Sequence, residues 1–251
     1  MILKALFERI PAVLCQGSWD TDIASIAMCS KEVTNNSLFI CIKGMEQDGH
    51  QYIQEAAERG AAACLVEEAF WKKSASVHGN LKQAEKKTSA YGELKLPEQM
   101  TIVSVQNTRE AAAWAAAAFY RYPSKELKVI GITGTKGKTT CAYMLRNIFE
   151  EAFGNKVGMI STVEATSCGR NIPKSGTTPE ALELYSILNE FVHDGVKAAC
   201  MEVSSQGLAY NRVDGIDFFV GAFLNLGEDH ISPTEHHSFE EYKAAKKFKN
   251  E

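Results

Sequence analysis

The stretch VIGITGTKGKTT, Val129 to Thr140, decides how the rest of the chain is read. It has the look of a phosphate-binding loop, but its glycines are out of register. In G-x-x-x-x-G-K-[ST] the first glycine would precede Gly137-Lys138-Thr139 at position 132, which holds Ile132. Gly131 comes one place too early and Gly134 two places too late. The setting is nevertheless the right one. An apolar strand ends at Ile132, a glycine turn follows, and a long helix begins near Lys138. Backbone N–H groups at a helix N-terminus face an anion, and the helix dipole favours it. Gly134 and Gly137 permit positive φ and close approach of phosphates. Lys138 would reach the β/γ phosphates, and the Thr139 hydroxyl would bind Mg²⁺.

Around this loop, strands and helices alternate. Strand KVIGIT is followed by helix TTCAYMLRNIFEEAF, strand KVGMIST, helix TPEALELYSILNEFVHDG and strands VKAACMEVS and DFFVGAFLNL. That order predicts a parallel, doubly wound sheet with helices on both faces. Upstream, SLFICIKG, QYIQEAAERGA and AACLVEE read as a small β–α–β unit. MTIVSV returns to strand, and an alanine-rich helix runs up to Pro123. The predicted boundary lies at Ser124–Leu127, dividing the chain into residues 1–124 and 125–251. From Trp71 to Gln99 the pattern gives way to polar, lysine-rich sequence, read as a mobile surface insertion.

Composition excludes several classes. The 251 residues are 45% hydrophobic and 23% charged with a net charge of −4, so nothing favours bulk binding to nucleic acid. The 7 cysteines lack C-x-x-C or zinc spacing and suit a reducing cytoplasm. The N-terminal MILKALFERIPAVL carries Glu8 and Arg9 inside its apolar portion and makes a poor signal peptide. The most apolar run, AAAWAAAAFY, is too short to span a bilayer.

Two later segments end strands with chemistry-bearing residues. Glu202 stands just past a strand in MEVSSQGL, and Asp229 and His230 follow another in NLGEDHIS. Acid and imidazole at adjacent strand ends can converge on a metal, though each alone reads first as a capping or surface residue.

Taken in order, LFICIKGMEQDGHQYIQEAAERGA, GTKGKTT, GTTPEA, MEVSSQGL…NRV and NLGEDHIS…FEEYKAAK resemble the Mur ligase family, and within it the tripeptide synthetase (MurE-type) branch. That family uses a shorter G-T-x-G-K-[ST] loop, which accounts for the displaced glycines. The resemblance implies a small UDP-sugar-binding α/β domain followed by a P-loop ATPase-like sheet. It implies an ATP- and Mg²⁺-dependent ligase of cytoplasmic cell-wall precursor synthesis. Such an enzyme adds lysine or diaminopimelate to UDP-N-acetylmuramoyl-L-Ala-D-Glu through an acyl phosphate. Carried over by position, Gly134, Thr135, Lys136, Gly137, Lys138, Thr139 and Thr140 cradle ATP. Thr139, Glu202 and His230 hold Mg²⁺. Lys246 matches a lysine carbamylated to hold a second Mg²⁺, although on pattern alone it is an exposed helix lysine. Lys138, Lys246 and His230 form the catalytic set. Thr177, Thr178, Ser204 and Arg212 meet the muramoyl peptide, and Ser30, Met45, Glu46 and Gln47 meet the uridine end. Lys136, Lys31 and Gln206 depart from the usual Asn, Arg and His. The family continues beyond the equivalent of Glu251, so the expectation is a portion that binds nucleotide without joining the amide. Two alternatives stay open: another member of the superfamily (a MurF-type ligase or a folylpolyglutamate synthase), or a non-catalytic nucleotide- or UDP-sugar-binding module.

Overall fold

The computed structural model describes residues 1–44, 47–78, 99–227, 232 and 236–246, with backbone only over 74–78. It forms two compact units, Met1–Ala118 and Phe119–Glu251. The division falls inside the last turn of the alanine-rich helix, a few residues before the stretch that sequence pattern suggests.

The first unit contains strands β1 (Val13–Gln16), β2 (Ser25–Ala27), β3 (Ser37–Ile40), β4 (Ala61–Glu67) and β5 (Thr101–Val105). Its helices are α1 (Leu3–Leu6), α2 (Ile53–Glu58), α3 (Glu68–His78) and α4 (Thr108–Phe119). The sheet order is β1-β5-β4-β3-β2, parallel from β2 to β5, with β1 antiparallel along one edge. β3 and β5 are buried at every position, as continuous apolar runs in covered parallel strands require. Phe39, Ile53, Cys64 and Ile102 anchor one side of the core.

Sequence pattern placed Trp71 at the start of an unpatterned insertion. Instead, α3 continues through that point. Phe70 is buried and stacks on His50 at 4.2 Å between centroids, Trp71 packs against the core, and Glu68 pairs with Lys72 one turn on. The remainder of the insertion, 79–98, lies outside the described residues.

The second unit contains β6 (Lys128–Thr133), β7 (Val157–Ile160), β8 (Ala165–Ser167), β9 (Arg170–Ile172), β10 (Ala198–Glu202) and β11 (Phe218–Phe223). Its helices are α5 (Lys138–Phe153), α6 (Ala181–His193), α7 (Ser205–Ala209) and α8 (Phe239–Ala245). Strand order is β11-β6-β10-β7-β8-β9. The first four are parallel, and the β8–β9 hairpin adds an antiparallel extension that the alternating pattern did not show. Its two-residue turn places Cys168 and Gly169 at φ 50° and 78°, the left-handed backbone such hairpins need. The helices cover both faces. On β7, Met159 joins the cluster under α5, whereas a Cβ at neighbouring Gly158 would sit 2.6 Å from the Phe191 ring of α6.

Among the described residues β11 forms one edge of this sheet, and it is poorly covered. Phe219, Val220 and Phe223 are 65%, 45% and 53% exposed. An apolar edge with open ladder groups invites pairing with another chain. The expected behaviour is concentration-dependent self-association, relieved by the double change Val220→Lys and Phe223→Lys with unchanged circular dichroism. Sedimentation velocity checks this; equal association by both proteins would show that the edge is harmless.

Candidate functional site

Ligand-contacting residues of open parallel sheets gather at the C-terminal ends of the strands. Here β10 lies between β6 and β7, and its last residue Glu202 pairs with Ile132, just before the glycine loop. The loop and Glu202 therefore stand at neighbouring strand ends.

The loop turns as its glycines allow. Gly134 has φ 154° and Gly137, which precedes α5, has φ 85°. A Cβ on Gly134 would come within 3.1 Å of Leu224 and 3.3 Å of the Asn225 nitrogen. No side chain caps α5, so its leading N–H groups are left for a ligand or water. Lys138 folds back, its Nζ donating to the Gly134 and Thr135 carbonyls at 2.9 and 3.2 Å. Lys136 is exposed, and Thr139 and Thr140 follow in the first turn, half-buried and exposed.

Two residues that sequence reading passed over shape this loop. Asn225 Oδ1 accepts from the Thr135 and Lys136 amides at 3.1 and 3.0 Å, and its Nδ2 donates to the Lys136 carbonyl at 3.0 Å. Tyr242, fully buried in α8, meets the Thr135 hydroxyl at 2.9 Å. A polar residue just beyond β11 was the available signal for Asn225.

Lys246 is not the exposed lysine that spacing alone suggests. It is 3% exposed, and its Nζ donates to the Gly134 carbonyl at 2.9 Å and Thr133 Oγ1 at 3.4 Å. Burial, reinforced by the neighbouring Lys138 charge, pushes its pKa down to about 8. A lysine that is partly neutral near neutral pH is a nucleophile toward CO₂.

On the other side of β10, Glu202 is 1% exposed and accepts from the Thr162 amide at 2.8 Å and the Thr162 hydroxyl at 3.1 Å. Thr162 in turn meets Thr177 Oγ1 at 3.2 Å. Thr178 is engaged by the backbone, donating to the Glu202 carbonyl and accepting from the Ser204 amide. Ser204 caps α7 by accepting from the Gly207 amide. Arg212 donates to the Thr178 carbonyl at 2.9 Å and pairs with Glu180 at 2.6 Å. So Thr177, Thr178, Ser204 and Arg212 do come together, along with Thr162, which sequence reading missed.

Among the described residues no cluster of three His, Cys, Asp or Glu side chains could hold a metal. His230, like Met45 and Glu46, lies outside them. Glu202 and the Thr139 hydroxyl nonetheless supply the hard oxygen donors a Mg²⁺ ion requires. In the first unit, Ser30 donates to Glu55 at 2.8 Å, and Gln47 closes a turn by accepting from the Gly44 amide and the Tyr52 hydroxyl.

Residues 132–248 match the Mur ligase middle domain, and residues 22–120 match the Mur ligase family catalytic domain. The chain belongs to the Mur ligase family. It is 40% identical over 249 residues to a UDP-N-acetylmuramoyl-L-alanyl-D-glutamate–2,6-diaminopimelate ligase 2 from Clostridium acetobutylicum, covering 98% of this chain and 46% of that protein. A diaminopimelate ligase of Bacillus licheniformis is 39% identical, covering 97% and 44%. The chain thus spans less than half the length of these Mur ligases. A solved diaminopimelate ligase superposes with a TM-score of 0.70 at 20% identity, covering 98% of this chain and 44% of that one. A Thermotoga maritima MurF ligase in complex with ADP gives 0.50 at 24% identity, covering 88% and 41%. At these identities the two structures speak for the fold.

Two outcomes follow from the loop geometry. Asn225→Ala removes the side-chain bonds to the Lys136 amide and carbonyl and leaves the Thr135 amide only the backbone carbonyl of residue 225, so stability should fall by about 1–3 kcal/mol. Chemical denaturation measures this, and an unchanged midpoint would mean the loop holds itself. Lys246→Met should melt above the parent at pH 7 in bicarbonate-free buffer, because it removes a buried ammonium. Lys246 has its pKa lowered from 10.5 to about 8, so its cost is full below pH 8 and is relieved as pH rises toward 10.5. The melting difference should therefore shrink between pH 8 and pH 10; a constant difference would refute the burial argument.

Proposed function

We propose that this chain supplies the nucleotide- and muramoyl-peptide-binding part of an ATP-dependent ligase that joins diaminopimelate to UDP-N-acetylmuramoyl-L-Ala-D-Glu. The observation that carries this reading is the placement of Gly134–Thr140, Glu202 and the Thr162–Thr177 pair at three adjacent strand ends of one sheet. The names borne by the relatives supply the substrates, and the ADP bound by the Thermotoga protein supports an adenine nucleotide.

The reaction consumes ATP to turn a carboxylate into an acyl phosphate, which the amine of the diamino acid displaces with release of phosphate and a proton. The loop amides and Lys138 would bind the phosphates and offset their charge. Thr139 and Glu202 would hold Mg²⁺, with His230 as a further ligand; the ion supplies charge neutralisation during phosphoryl transfer. The neutral Lys246 amine would attack CO₂ and lose a proton, giving an anionic carbamate beside the loop. Thr177, Ser204 and Arg212 would face the muramoyl peptide, and Ser30 with Met45–Gln47 the uridine end. The setting is cytoplasmic, where this precursor is made. Among the described residues no helix is long and apolar enough to cross a membrane.

Calorimetry with Mg-ATP and with UDP-N-acetylmuramoyl-L-Ala-D-Glu tests the reading. Both should bind, and Lys138→Ala should weaken Mg-ATP roughly ten-fold or more, the size of a lost charge-assisted contact. Absence of binding by either ligand would overturn it.

A further inference from the structure

Among the described residues, a cation not yet given a role stands in a cleft of the second unit. Lys174 follows β9, where the chain leaves the hairpin for the Thr177 segment. With Thr162, Asn171 and Thr177 it lines a cleft of about 560 Å³ beside the end of β10. Its Nζ donates to the Thr162 carbonyl at 3.3 Å and to the Gly176 carbonyl. Both acceptors are neutral dipoles.

The surrounding carboxylates are otherwise occupied. Glu202 is held by the Thr162 amide and hydroxyl, and Glu183 by the Ser175 amide and hydroxyl. Burial draws the Lys174 pKa down while Glu183 and Glu202 pull it the other way, placing it within reach of their fields. Arg212 differs, since Glu180 neutralises it at 2.6 Å. Among the described residues near the Thr177–Thr178 turn, Arg212 already has its paired anion, whereas the hydrogen bonds of Lys174 go to carbonyls. A partly desolvated ammonium whose hydrogen bonds go to dipoles gains a charge-assisted hydrogen bond when an anion enters.

We infer that Lys174 is a specificity residue that binds one carboxylate of the substrate's glutamyl end, with the Thr162 and Thr177 hydroxyls beside it. This rests on the activity proposed above. The substrate's terminal glutamate carries two carboxylates, and only one is activated. A fixed ammonium on the β7 side of Glu202, away from the phosphate loop on the β6 side, sorts them: one is anchored and the other is left for phosphoryl transfer.

The test is a cycle over protein and ligand, read by calorimetry. The ligands are UDP-N-acetylmuramoyl-L-Ala-D-Glu and its two mono-amides, one at each glutamyl carboxylate. The proteins are the parent chain, Lys174→Met and Lys174→Arg. The diacid should bind Lys174→Met roughly ten-fold more weakly than the parent, with Lys174→Arg in between. One mono-amide should bind parent and Lys174→Met alike, which identifies the anchored carboxylate, while the other retains the ten-fold loss. Mg-ATP affinity should not change. Equal binding of the diacid to parent and Lys174→Met overturns the inference. So does an equal loss with all three ligands, because bracing of the Thr162–Gly176 carbonyls alone would act on every ligand. Failure of the parent to bind the diacid would instead sink the activity on which the inference stands.

Discussion

Thr135 and Asn225 carry the constraint on which the second unit turns. A glycine loop open enough to wrap a phosphate has few contacts of its own, and its amides cannot all be spent on a ligand. Asn225 resolves this by taking the Thr135 and Lys136 amides and returning a bond to the Lys136 carbonyl. Thr135 is then fixed from a second direction by Tyr242 and the Gly227 amide. The loop is held from its outer side, by β11's exit and α8, and the amides that open α5 are left over. Segments remote in sequence thus hold one turn, and folding of the sheet edge and formation of the site become one event.

The same economy governs the far side of β10. Thr178 uses its hydroxyl as both donor and acceptor to tie the Glu202 carbonyl to the Ser204 amide, so the backbone after β10 cannot drift. Among the described residues, the carboxylate of buried Glu202 is then met by the amide and hydroxyl of Thr162. A buried carboxyl needs hydrogen-bond partners, and with Thr162 fixing both oxygens a cation arriving later meets an oriented pair rather than a mobile side chain.

How much of this was legible in the sequence follows from how local each signal is. The strand–turn–helix around Lys138 announces itself because all its parts lie within a few residues. The β8–β9 hairpin does not, since three-residue strands are too short to show alternation. Its Cys168-Gly169 turn is the only punctuation. Lys246 became legible through resemblance alone. A helix of 7 residues cannot display a buried face, yet Tyr242 and Lys246, four apart, both point at the loop. Asn225 and Thr162 act across strands, through contacts that no sequence window contains.

α5 carries a further meaning. Of its 16 residues only Ala142 is fully buried, and Met144 and Ile148 are 61% and 60% exposed. The helix that presents the phosphate loop is seated on the sheet through Ala142 and the half-buried Cys141, Tyr143, Leu145 and Phe149, while its outer face stays apolar and exposed. A ligand gripping its leading amides would by mass action stabilise the helix that carries them. Occupancy of the loop would then register along the helix as slower amide exchange, making α5 a reporter of its own binding site.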